Sequence, residues 1–209
     1  DNPNGNYGAL MVKISSDGNV LWYKHIGGTK PDYFTAVAAT DDGGFVASGK
    51  MSSTDGDFSG LDINNTDAVT VKFSSDGSIE WAKKFGGSGI DSGAAIAVDT
   101  KGCIYTACRT ISKDGDAKGS DGSVDIFVLK YSPSGEQLWS QLLKGSKSEE
   151  VEDMYAGSDG CVIVGRYASS DGVFGINRGS YDAYMAHIKA DGTLNWVRTY
   201  GGLKGERFY

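Results

Sequence analysis

Four tryptophans recur at an almost constant spacing along this chain. They lie 59, 58 and 57 residues apart, at Trp22, Trp81, Trp139 and Trp196. Each follows a glycine-ended turn by four residues and precedes one or two further glycines by five or six residues. A constant period of this length is typical of repeat architectures, in which each repeat is one supersecondary unit. The chain is therefore predicted to be a repeat protein.

The repeat that contains Trp81 divides into four short strand-like segments. They read DYFTAVAAT (32–40), FVASGK (45–50), AVTVKF (68–73) and SIEWAKKF (78–85). Short turns and one long Gly-, Asp- and Ser-rich loop separate them, and the chain contains 31 glycines but only 3 prolines, which suits many tight turns. Four antiparallel strands in a unit of this length are typical of a propeller blade. The predicted fold class is all-β, a β-propeller of four-stranded antiparallel blades.

The repeat also predicts how the chain divides. Residues 1–28 supply only a third and a fourth strand, residues 29–87, 88–145 and 146–202 form complete blades, and residues 203–209 begin another blade. Half a blade, three blades and a short start do not close a ring. The favoured interpretation is a part of a larger propeller. Two copies that complete one ring, and a small four-bladed ring closed by the C-terminal tail, are the alternatives.

Two types of turn would place the tryptophan differently on its blade. A two-residue Asp-Gly turn sets Trp81 opposite Lys72, whereas a three-residue turn with Gly77 in the left-handed conformation sets it opposite Val71. The third copy has Pro133 at the second position of the turn, which favours the second register. That register also puts the tryptophan on the apolar strand face. We therefore expect a tryptophan wedge between blades, with stacking of the neighbouring lysine on the indole as the alternative.

A second set of charged residues recurs with the same period. A cation closes each second strand and an aspartate opens each third strand. The pairs are Lys50 with Asp67, Arg109 with Asp125, and Arg166 with Asp182. Because these two strand ends are neighbours in an antiparallel blade, we predict a structural ion pair at the base of each long loop.

The repeats resemble those of bacterial secreted β-propeller proteins over almost the whole chain. The resemblance rests on TDAVTVKFSSDGSIEWAKKFGG (66–87), SVDIFVLKYSPSGEQLW (123–139), SYDAYMAHIKADGTLNWVRTYGG (180–202) and the spacer STDGDFSG (53–60). Gly8, Lys144 and His187 depart from the pattern, and the third loop lacks the second acidic residue. The resemblance implies a secreted or surface-anchored bacterial protein, and it implies no enzymatic activity.

Charge and composition exclude some classes of partner. The formal net charge of −7, from 20 basic and 27 acidic residues, argues against binding to nucleic acid or to an anionic membrane. No apolar run approaches the roughly 20 residues that a membrane-spanning helix needs. Three cysteines do not make a disulfide framework. The predicted partners are a protein or a glycan, together with further blades of the same propeller or a second copy.

The long loops carry the residues whose pattern most suggests ligand chemistry. Candidate calcium ligands, chosen because they match the opening of an EF-hand loop, are Asp55, Asp57 and Ser59 in one loop and Asp114 and Asp116 in the next. The match is incomplete, since Thr66 stands where the motif requires a glutamate. The sequence therefore predicts no cofactor, and calcium is the alternative to a loop of solvated turns.

The same loops carry a mixture of aromatic and polar side chains that are expected to be exposed. The candidate ligand-binding residues are Phe58, Asn64, Asn65, Phe174, Asn177 and Arg178. Such mixtures occur in carbohydrate-binding sites and also in ordinary loops. The two histidines show no zinc-ligand spacing, and the chain contains no nucleophile elbow or phosphate-binding loop.

The sequence favours a non-catalytic extracellular or cell-surface scaffold that mediates interaction with a protein or another ligand. This hypothesis follows because the periodic residues all have structural roles and the remaining residues form no clear chemical cluster. One alternative is a lectin-like propeller. Another is part of a secreted hydrolase whose active site lies outside this chain.

Overall fold

Short runs of β-branched and aromatic residues, each ended by turn residues, form the strands of this protein. The computed structural model describes residues 8–206 and 208, and these form fourteen β-strands and two single turns of 3-10 helix. Residues 1–7 of the predicted half blade lie outside the described residues. No helix within the described residues is long and apolar enough to cross a membrane.

The strands form one two-stranded and three four-stranded antiparallel sheets, so the prediction of an all-β propeller is confirmed. The half blade consists of β1 (Ala9–Ile14) and β2 (Val20–Ile26). Blade 1 consists of β3 (Asp32–Ala39), β4 (Phe45–Met51), β5 (Asp67–Phe73) and β6 (Ile79–Phe85). Blade 2 consists of β7 (Asp91–Val98), β8 (Ile104–Thr110), β9 (Asp125–Tyr131) and β10 (Gln137–Leu143). Blade 3 consists of β11 (Glu149–Gly157), β12 (Gly160–Tyr167), β13 (Asp182–Lys189) and β14 (Leu194–Tyr200).

The first strand of blade 2, β7, contacts the first strands β3 and β11 of both neighbouring blades, so the first strand of each blade is innermost and the fourth is outermost. Each blade therefore has two ends. The turn end carries the short turns between first and second strands and between third and fourth strands. The loop end carries the long loop between second and third strands and the corner that leads to the next blade.

The hydrophobic core consists of apolar layers between neighbouring sheets. One layer joins Ile26 of the half blade to Val69 and Val71 of blade 1. The next joins blade 1 to blade 2 and contains Phe127 and Leu129, and a third joins blade 2 to blade 3. Full burial of a side chain such as Leu129 stabilises the fold by about 2 kcal/mol. The apolar residues of each blade are therefore buried against the neighbouring blades.

The predicted register of the tryptophan is wrong. Gly77 does adopt the left-handed conformation, at φ +78°, and its N–H donates to Ser74 as a three-residue turn requires. A β-bulge after Ile79 then adds one residue to β6, so Trp81 lies opposite Lys72 and not opposite Val71. The same pairing recurs at Trp22 with Lys13, Trp139 with Lys130 and Trp196 with His187.

The predicted ion pairs at the base of the loops are also wrong, for a reason of register. Each aspartate lies opposite the residue that follows the cation: Asp67 opposite Met51, Asp125 opposite Thr110 and Asp182 opposite Tyr167. Successive residues of a strand point to opposite faces, so the cation and the aspartate lie on different faces of the blade.

The cations have other partners in the structure. Arg166 donates to Glu150 at 2.8 Å, and Arg109 of the preceding blade approaches the same carboxylate at 3.8 Å. Lys50 lies 5.3 Å from the ring of Tyr33. The arginines therefore bridge blades 2 and 3 through a glutamate of the innermost strand.

Candidate functional site

Each tryptophan between blades reaches the turn of the following blade. The indole N–H groups donate to the backbone carbonyl at the second position of the turn between third and fourth strands: Trp22 to Ser75 at 3.4 Å, Trp81 to Pro133 at 3.0 Å and Trp139 to Ala190 at 3.0 Å. We call this carbonyl, together with the glycine that ends the same turn, the tryptophan seat. The seat links the outer strand of one blade to the turn end of the next.

The glycine of each seat is required for two reasons. Gly77, Gly135 and Gly192 have φ of +78°, +83° and +91°, a region that residues with a side chain seldom adopt. A Cβ atom at any of them would also lie 2.8 to 2.9 Å from the tryptophan ring. The glycine therefore serves both the turn and the close approach of the indole.

An acidic side chain fixes the loop end of each junction. Asp32 accepts hydrogen bonds from the N–H groups of Gly28, Ser52 and Ser53 at 2.9 to 3.1 Å. The carboxylate thus joins the corner between blades to the first residues of the long loop. We call the residue at this position, the first of each innermost strand, the junction acid.

The junction acid of blade 2 is Asp91, and its partners are partly side chains. Gly87 donates its N–H at 2.9 Å and Ser112 its hydroxyl at 2.7 Å, and the hydroxyl of Thr110 also donates to the carboxylate. Asp91 is completely buried. The carboxylate of Asp91 therefore has donors from both the corner and the long loop.

Blade 3 has a glutamate, Glu149, as its junction acid. It accepts from the N–H of Gly145 at 2.9 Å and from the hydroxyl of Ser169. Burial raises its pKa to about 7, and the nearby Asp125 carboxylate adds to the effect. Burial also raises the pKa of Asp125 itself and that of Asp67. The loop end of the junctions is therefore rich in buried carboxyl groups.

The candidate calcium ligands lie at these corners as hydrogen-bond acceptors. Asp55 accepts from the N–H and the hydroxyl of Thr29, both at 2.9 Å, and Asp57 accepts from the N–H of Gly27 at 3.0 Å. The bond from Thr29 lowers the pKa of Asp55. The N–H of Ser59 donates to Gly56 within the loop. These carboxylates already have donors, an arrangement that suits a closed turn more than a set of cation ligands.

Blade 2 repeats the arrangement. Asp114 accepts from the N–H of Ser88 at 2.7 Å, and Asp116 accepts from the N–H of Gly86 at 3.2 Å. Within residues 8–206 and 208, no group of three or more His, Cys, Asp or Glu side chains is placed to hold a metal ion. Calcium binding at these loops stays a prediction, which a calcium titration followed by calorimetry tests.

The third-strand aspartates hold the ends of the long loops. One oxygen of each accepts a backbone N–H three or four residues earlier, from Asn64 to Asp67 at 3.1 Å, from Asp121 to Asp125 at 3.3 Å and from Arg178 to Asp182 at 2.8 Å. The other oxygen of each is buried and has no hydrogen-bond partner among the described residues. These aspartates therefore close the loop in place of the predicted ion pair.

The expectation of exposed loop aromatics is wrong. Phe58 is 1% exposed and packs in the layer between the half blade and blade 1. Phe174 is 4% exposed and lies against Tyr167 and Tyr184, with ring centroids 5.2 and 4.9 Å away. Each loop folds back so that its aromatic residue covers the end of a core layer, which the sequence pattern alone did not show.

The polar candidates of the loops are divided between structure and surface. Asn177 uses its side chain to donate to the carbonyl of Tyr167 at 2.8 Å and to accept from Gly179 at 3.1 Å. Asn65 is exposed and has a left-handed backbone, at φ +66°, which asparagine tolerates. Asn64 and Arg178 are also exposed, and their side chains are available to solvent.

Exposed apolar side chains at the loop end were missed by the sequence analysis. Ile90 and Ile111 are 51% and 41% exposed and are adjacent, since the N–H of Ile111 donates to the carbonyl of Ile90. Ile176 is 74% exposed in the loop of blade 3. At the position of Ile90 the other repeats have Pro31 and Ser148. A residue-by-residue comparison of the repeats would therefore have identified Ile90 as a position that differs.

A cavity of about 610 Å³ lies between the half blade and blade 1. Its lining includes Val12 and Trp22 on one side and Phe34 and Phe45 on the other. It occupies the space beside β3 where a complete blade has its first and second strands. The cavity therefore belongs to the architecture of the half blade.

The chain is similar to parts of two much longer proteins, and no protein-family model matches it. It is 29% identical over 188 residues to the regulatory protein FlaEY of Caulobacter vibrioides, which covers 84% of this chain and 20% of that protein. It is 25% identical over 169 residues to an uncharacterized WD repeat-containing protein, L264, of Acanthamoeba polyphaga mimivirus, which covers 70% of this chain and 12% of that protein. The chain thus spans a fifth or less of the length of these relatives.

Two solved structures align with most of this chain at TM-scores below 0.5. A protein of unknown function from Bacteroides caccae aligns at a TM-score of 0.49 with 12% identity, over 96% of this chain and 61% of that one. An ACO/RPE65 chimera aligns at 0.46 with 13% identity, over 93% and 45%. The blades described above are those of a β-propeller, and one of the two relatives is itself described as WD repeat-containing.

Proposed function

We propose that this chain is a non-catalytic interaction module that binds a protein or another ligand through the loop end of its blades. One observation carries the proposal. The polar side chains that recur in every repeat are used within the junctions, whereas exposed apolar side chains at the loop end lie where the repeats differ. A surface that differs from blade to blade on a repeated frame is typical of repeat proteins that bind other molecules.

The exposed loop-end residues have the character of a binding surface. Ile111 and Ile176 present apolar area in long loops that also carry exposed polar residues, such as Lys113 in the first loop and Arg178 in the second. Exposed apolar residues rimmed by polar ones are common at protein interfaces. A relative described as a regulatory protein supports this role, since regulation depends on binding other molecules.

We further propose that the module acts outside the cell or on its surface, as the resemblance to bacterial secreted propellers implies. An antibody against the chain should label intact cells of the organism that makes it. Labelling only after the cells are broken open would contradict this location.

A capture experiment tests the interaction role. The immobilised chain is exposed to proteins of the same organism, and the retained proteins are quantified by mass spectrometry. The double variant Ile111→Asp/Ile176→Asp introduces two charges at the loop end and should abolish retention of the specific partners. Leu138→Asp is the matched control, because Leu138 is 47% exposed at the start of β10, near the turn end.

The pattern of losses decides the outcome. Retention by the wild type and by the control, together with loss in the double variant, supports binding through the loop end. Equal retention of the partner proteins by the wild type, the double variant and the control would contradict binding through the loop end. A far-UV circular dichroism spectrum of each variant shows whether its strands are intact.

The lectin alternative loses its main support, because Phe58 and Phe174 are buried and offer no ring face to a sugar. The alternative of a hydrolase concerns residues beyond this chain. No contact among the described residues supports the lectin hypothesis or the hydrolase hypothesis.

A further inference from the structure

Two acidic side chains from different blades lie side by side at each junction between complete blades. The backbone N–H of the junction acid donates to the carbonyl of the residue that precedes the third-strand aspartate of the blade before it. This hydrogen bond runs from Asp91 to Thr66 at 2.8 Å and from Glu149 to Val124 at 2.7 Å. We call the acids that it brings together the junction pairs: Asp67 with Asp91, and Asp125 with Glu149.

The carboxyl groups of the first pair border one small space. A Cβ atom on Gly86 would lie 2.5 Å from Oδ1 of Asp67 and 2.5 Å from Oδ2 of Asp91. Both acidic side chains are completely buried. Two negative charges so close together in a buried site repel each other strongly, and a proton on one of the acids removes this repulsion.

The hydrogen bonds of the first pair indicate which acid carries a proton. The oxygen of Asp67 that borders the shared space is the one without a partner among the described residues. Its other oxygen accepts from the N–H of Asn64 at 3.1 Å. Oδ2 of Asp91 already accepts two hydrogen bonds from other protein groups, and such bonds favour the ionised form. A proton on Asp67 would therefore give its unpartnered oxygen a hydrogen bond to Asp91.

The second pair repeats the unpartnered oxygen. Oδ1 of Asp125 is buried and likewise finds no partner in the described part of the chain, whereas Oδ2 accepts from the N–H of Asp121 at 3.3 Å. Burial raises the pKa of Glu149 to about 7, and the nearby carboxylate of Asp125 adds to the effect. Both observations agree with a proton that is held within the pair.

Lys84 and Asp116 are charged neighbours of the first pair. Nζ of Lys84 lies 3.5 Å from Oδ2 of Asp67 and 3.8 Å from Asp116, so its charge is shared between two acids. The carboxyl group of Asp91 also acts on the thiol of Cys108, which stays neutral because burial raises its pKa to about 12. One basic group therefore faces three acids at this pair.

The second pair has a similar set of neighbours. Burial raises the pKa of Asp125 and Asp121 adds to the effect, whereas Lys144 lowers this pKa. The hydroxyl of Tyr184 lies near Glu149 and stays neutral, because burial raises its pKa well above the usual value. One basic group again faces three acids, so a neighbouring charge does not cancel the repulsion within either pair.

The junction before blade 1 lacks the second acid and gives an internal comparison. Gly8 stands where the later repeats have Asp67 and Asp125. A Cβ atom on Gly27 would lie 3.4 Å from Cα of Gly8 and 2.8 Å from Oδ2 of the junction acid Asp32. The two positions are therefore close together here as well, but only one of them is acidic.

We propose that each junction pair binds one proton that its two carboxyl groups share, so that the pair carries one negative charge instead of two in mildly acidic solution. The shared proton joins the third strand of one blade to the first strand of the next at the loop end. The inference does not depend on the proposed interaction role, because the pairs are buried inside the junctions.

The shared proton makes the attachment between blades sensitive to pH. The folded pair binds its proton more tightly than the unfolded chain does, so its contribution to stability is complete below the ordinary pKa of the acids. For the second pair the contribution is lost as the pH rises from 4.5 through about 7. Above that range two like charges face each other in the junction and the attachment weakens.

The number of protons released on unfolding tests the proposal. It is given by the slope of the unfolding free energy against pH, measured by urea denaturation of the chain around pH 6, where the acids of the unfolded chain are ionised. Asp67→Asn and Asp125→Asn each supply an amide N–H in place of the shared proton. Each variant should lower the number released by about one, and the double variant should lower it by about two.

Asp76→Asn is the matched control. Asp76 is exposed in a turn, and hydrogen bonds from Ser74 and Ser78 lower its pKa to about 2, so it is ionised around pH 6 whether the chain is folded or unfolded. The control should release as many protons as the wild type. Far-UV circular dichroism shows that each variant keeps its strands.

A variant that creates a pair tests the same idea in the opposite direction. Gly8→Asp places a second acid beside Asp32, as in the later repeats, and should raise the number of protons released by about one. Gly8→Asn has the same size without the acid and should leave the number unchanged.

Two results would overturn the proposal. Wild-type proton numbers in both Asp67→Asn and Asp125→Asn would show that the pairs hold no proton, and a loss of stability without a change in number would assign Asp67 to an ion pair with Lys84. A wild-type number in Gly8→Asp would show that two adjacent acids at a junction do not bind a proton.

Discussion

Adjacent blades are attached in two places that use different chemistry. At the turn end, a neutral indole N–H donates to a backbone carbonyl and the ring packs on a glycine, as Trp81 does on Gly135. At the loop end, a buried carboxylate collects hydrogen bonds from the corner and the loop, as Asp91 does. The first attachment depends on shape, and the second depends on an acidic side chain and its hydrogen-bond donors. Removal of one carboxyl group should lower the stability strongly only at the loop end. A change of pH should likewise act mainly at the loop end.

The largest effect is expected from removing the junction acid of blade 2. Asp91→Ala leaves the buried N–H of Gly87 without an acceptor and breaks the contacts with Ser112 and Thr110. Buried donors without partners cost about 1 to 3 kcal/mol each, and hydroxyl groups can rotate to new acceptors. We expect the free energy of unfolding to fall by about 3 to 4 kcal/mol, measured by urea denaturation.

Asp91→Asn is the matched variant, because it keeps the size and one acceptor of the side chain. It should cost about half as much as the alanine variant. Equal and small losses in both variants would show that the loop end is held by backbone contacts rather than by the carboxylate.

The second prediction concerns the pH dependence of stability and uses Glu149, the junction acid of blade 3. The pKa of Glu149 is raised from an ordinary value of 4.5 to about 7, so the folded protein binds a proton more tightly than the unfolded chain. Its contribution to stability is complete below about pH 4.5 and is lost as the pH rises to 7. Since one pKa unit corresponds to about 1.4 kcal/mol, wild-type stability should fall by about 2 to 3 kcal/mol across this range.

Glu149→Gln isolates this contribution, because glutamine is neutral and of similar size. Thermal melts from pH 5 to pH 8 should show a shallower slope in the variant than in the wild type. Glu136→Gln, a change of an exposed residue in a turn, is the control and should keep the wild-type slope. Parallel slopes in Glu149→Gln and the wild type would show that the carboxyl group of Glu149 titrates normally.

The architecture follows from the sequence because its signals are local. The spacing of Trp22, Trp81 and the later copies gives the repeat, and the alternation within AVTVKF gives a strand between turns. The exact register does not follow, because a bulge after Ile79 shifts it by one residue. Nothing in the residues of β6 distinguishes a bulged strand from a regular one. That single residue also decided which face carries the tryptophan.

The site residues were harder to predict, because their roles depend on contacts between distant repeats. Phe58 resembles an exposed loop aromatic in sequence, yet the loop folds onto the core layer formed by the preceding half blade. Asp55 resembles a calcium ligand, but its hydrogen-bond donor Thr29 is 26 residues away along the chain. Asp32 was predicted only as the first residue of a strand, and no role was predicted for Asp91. Hydrogen bonds between repeats are not visible in a one-dimensional pattern.

The smallest effect is expected at the turn end, where Gly135→Ala tests the tryptophan seat. A residue with a side chain at φ +83° costs about 1 to 2 kcal/mol by itself. The methyl group would also lie 2.8 Å from the ring of Trp81, closer than two carbon atoms normally approach, so the indole must move and its bond to Pro133 weakens.

Gly175→Ala has a similar φ of +75° and no atom within 4 Å, so it shows the backbone cost alone. The first variant should therefore lose about 1 kcal/mol more than the second in urea denaturation, and its tryptophan fluorescence should shift to longer wavelength as the indole becomes more exposed. If the two variants lose the same stability and the emission does not shift, the glycine of the seat serves only the turn, and the attachment between blades rests on the loop end.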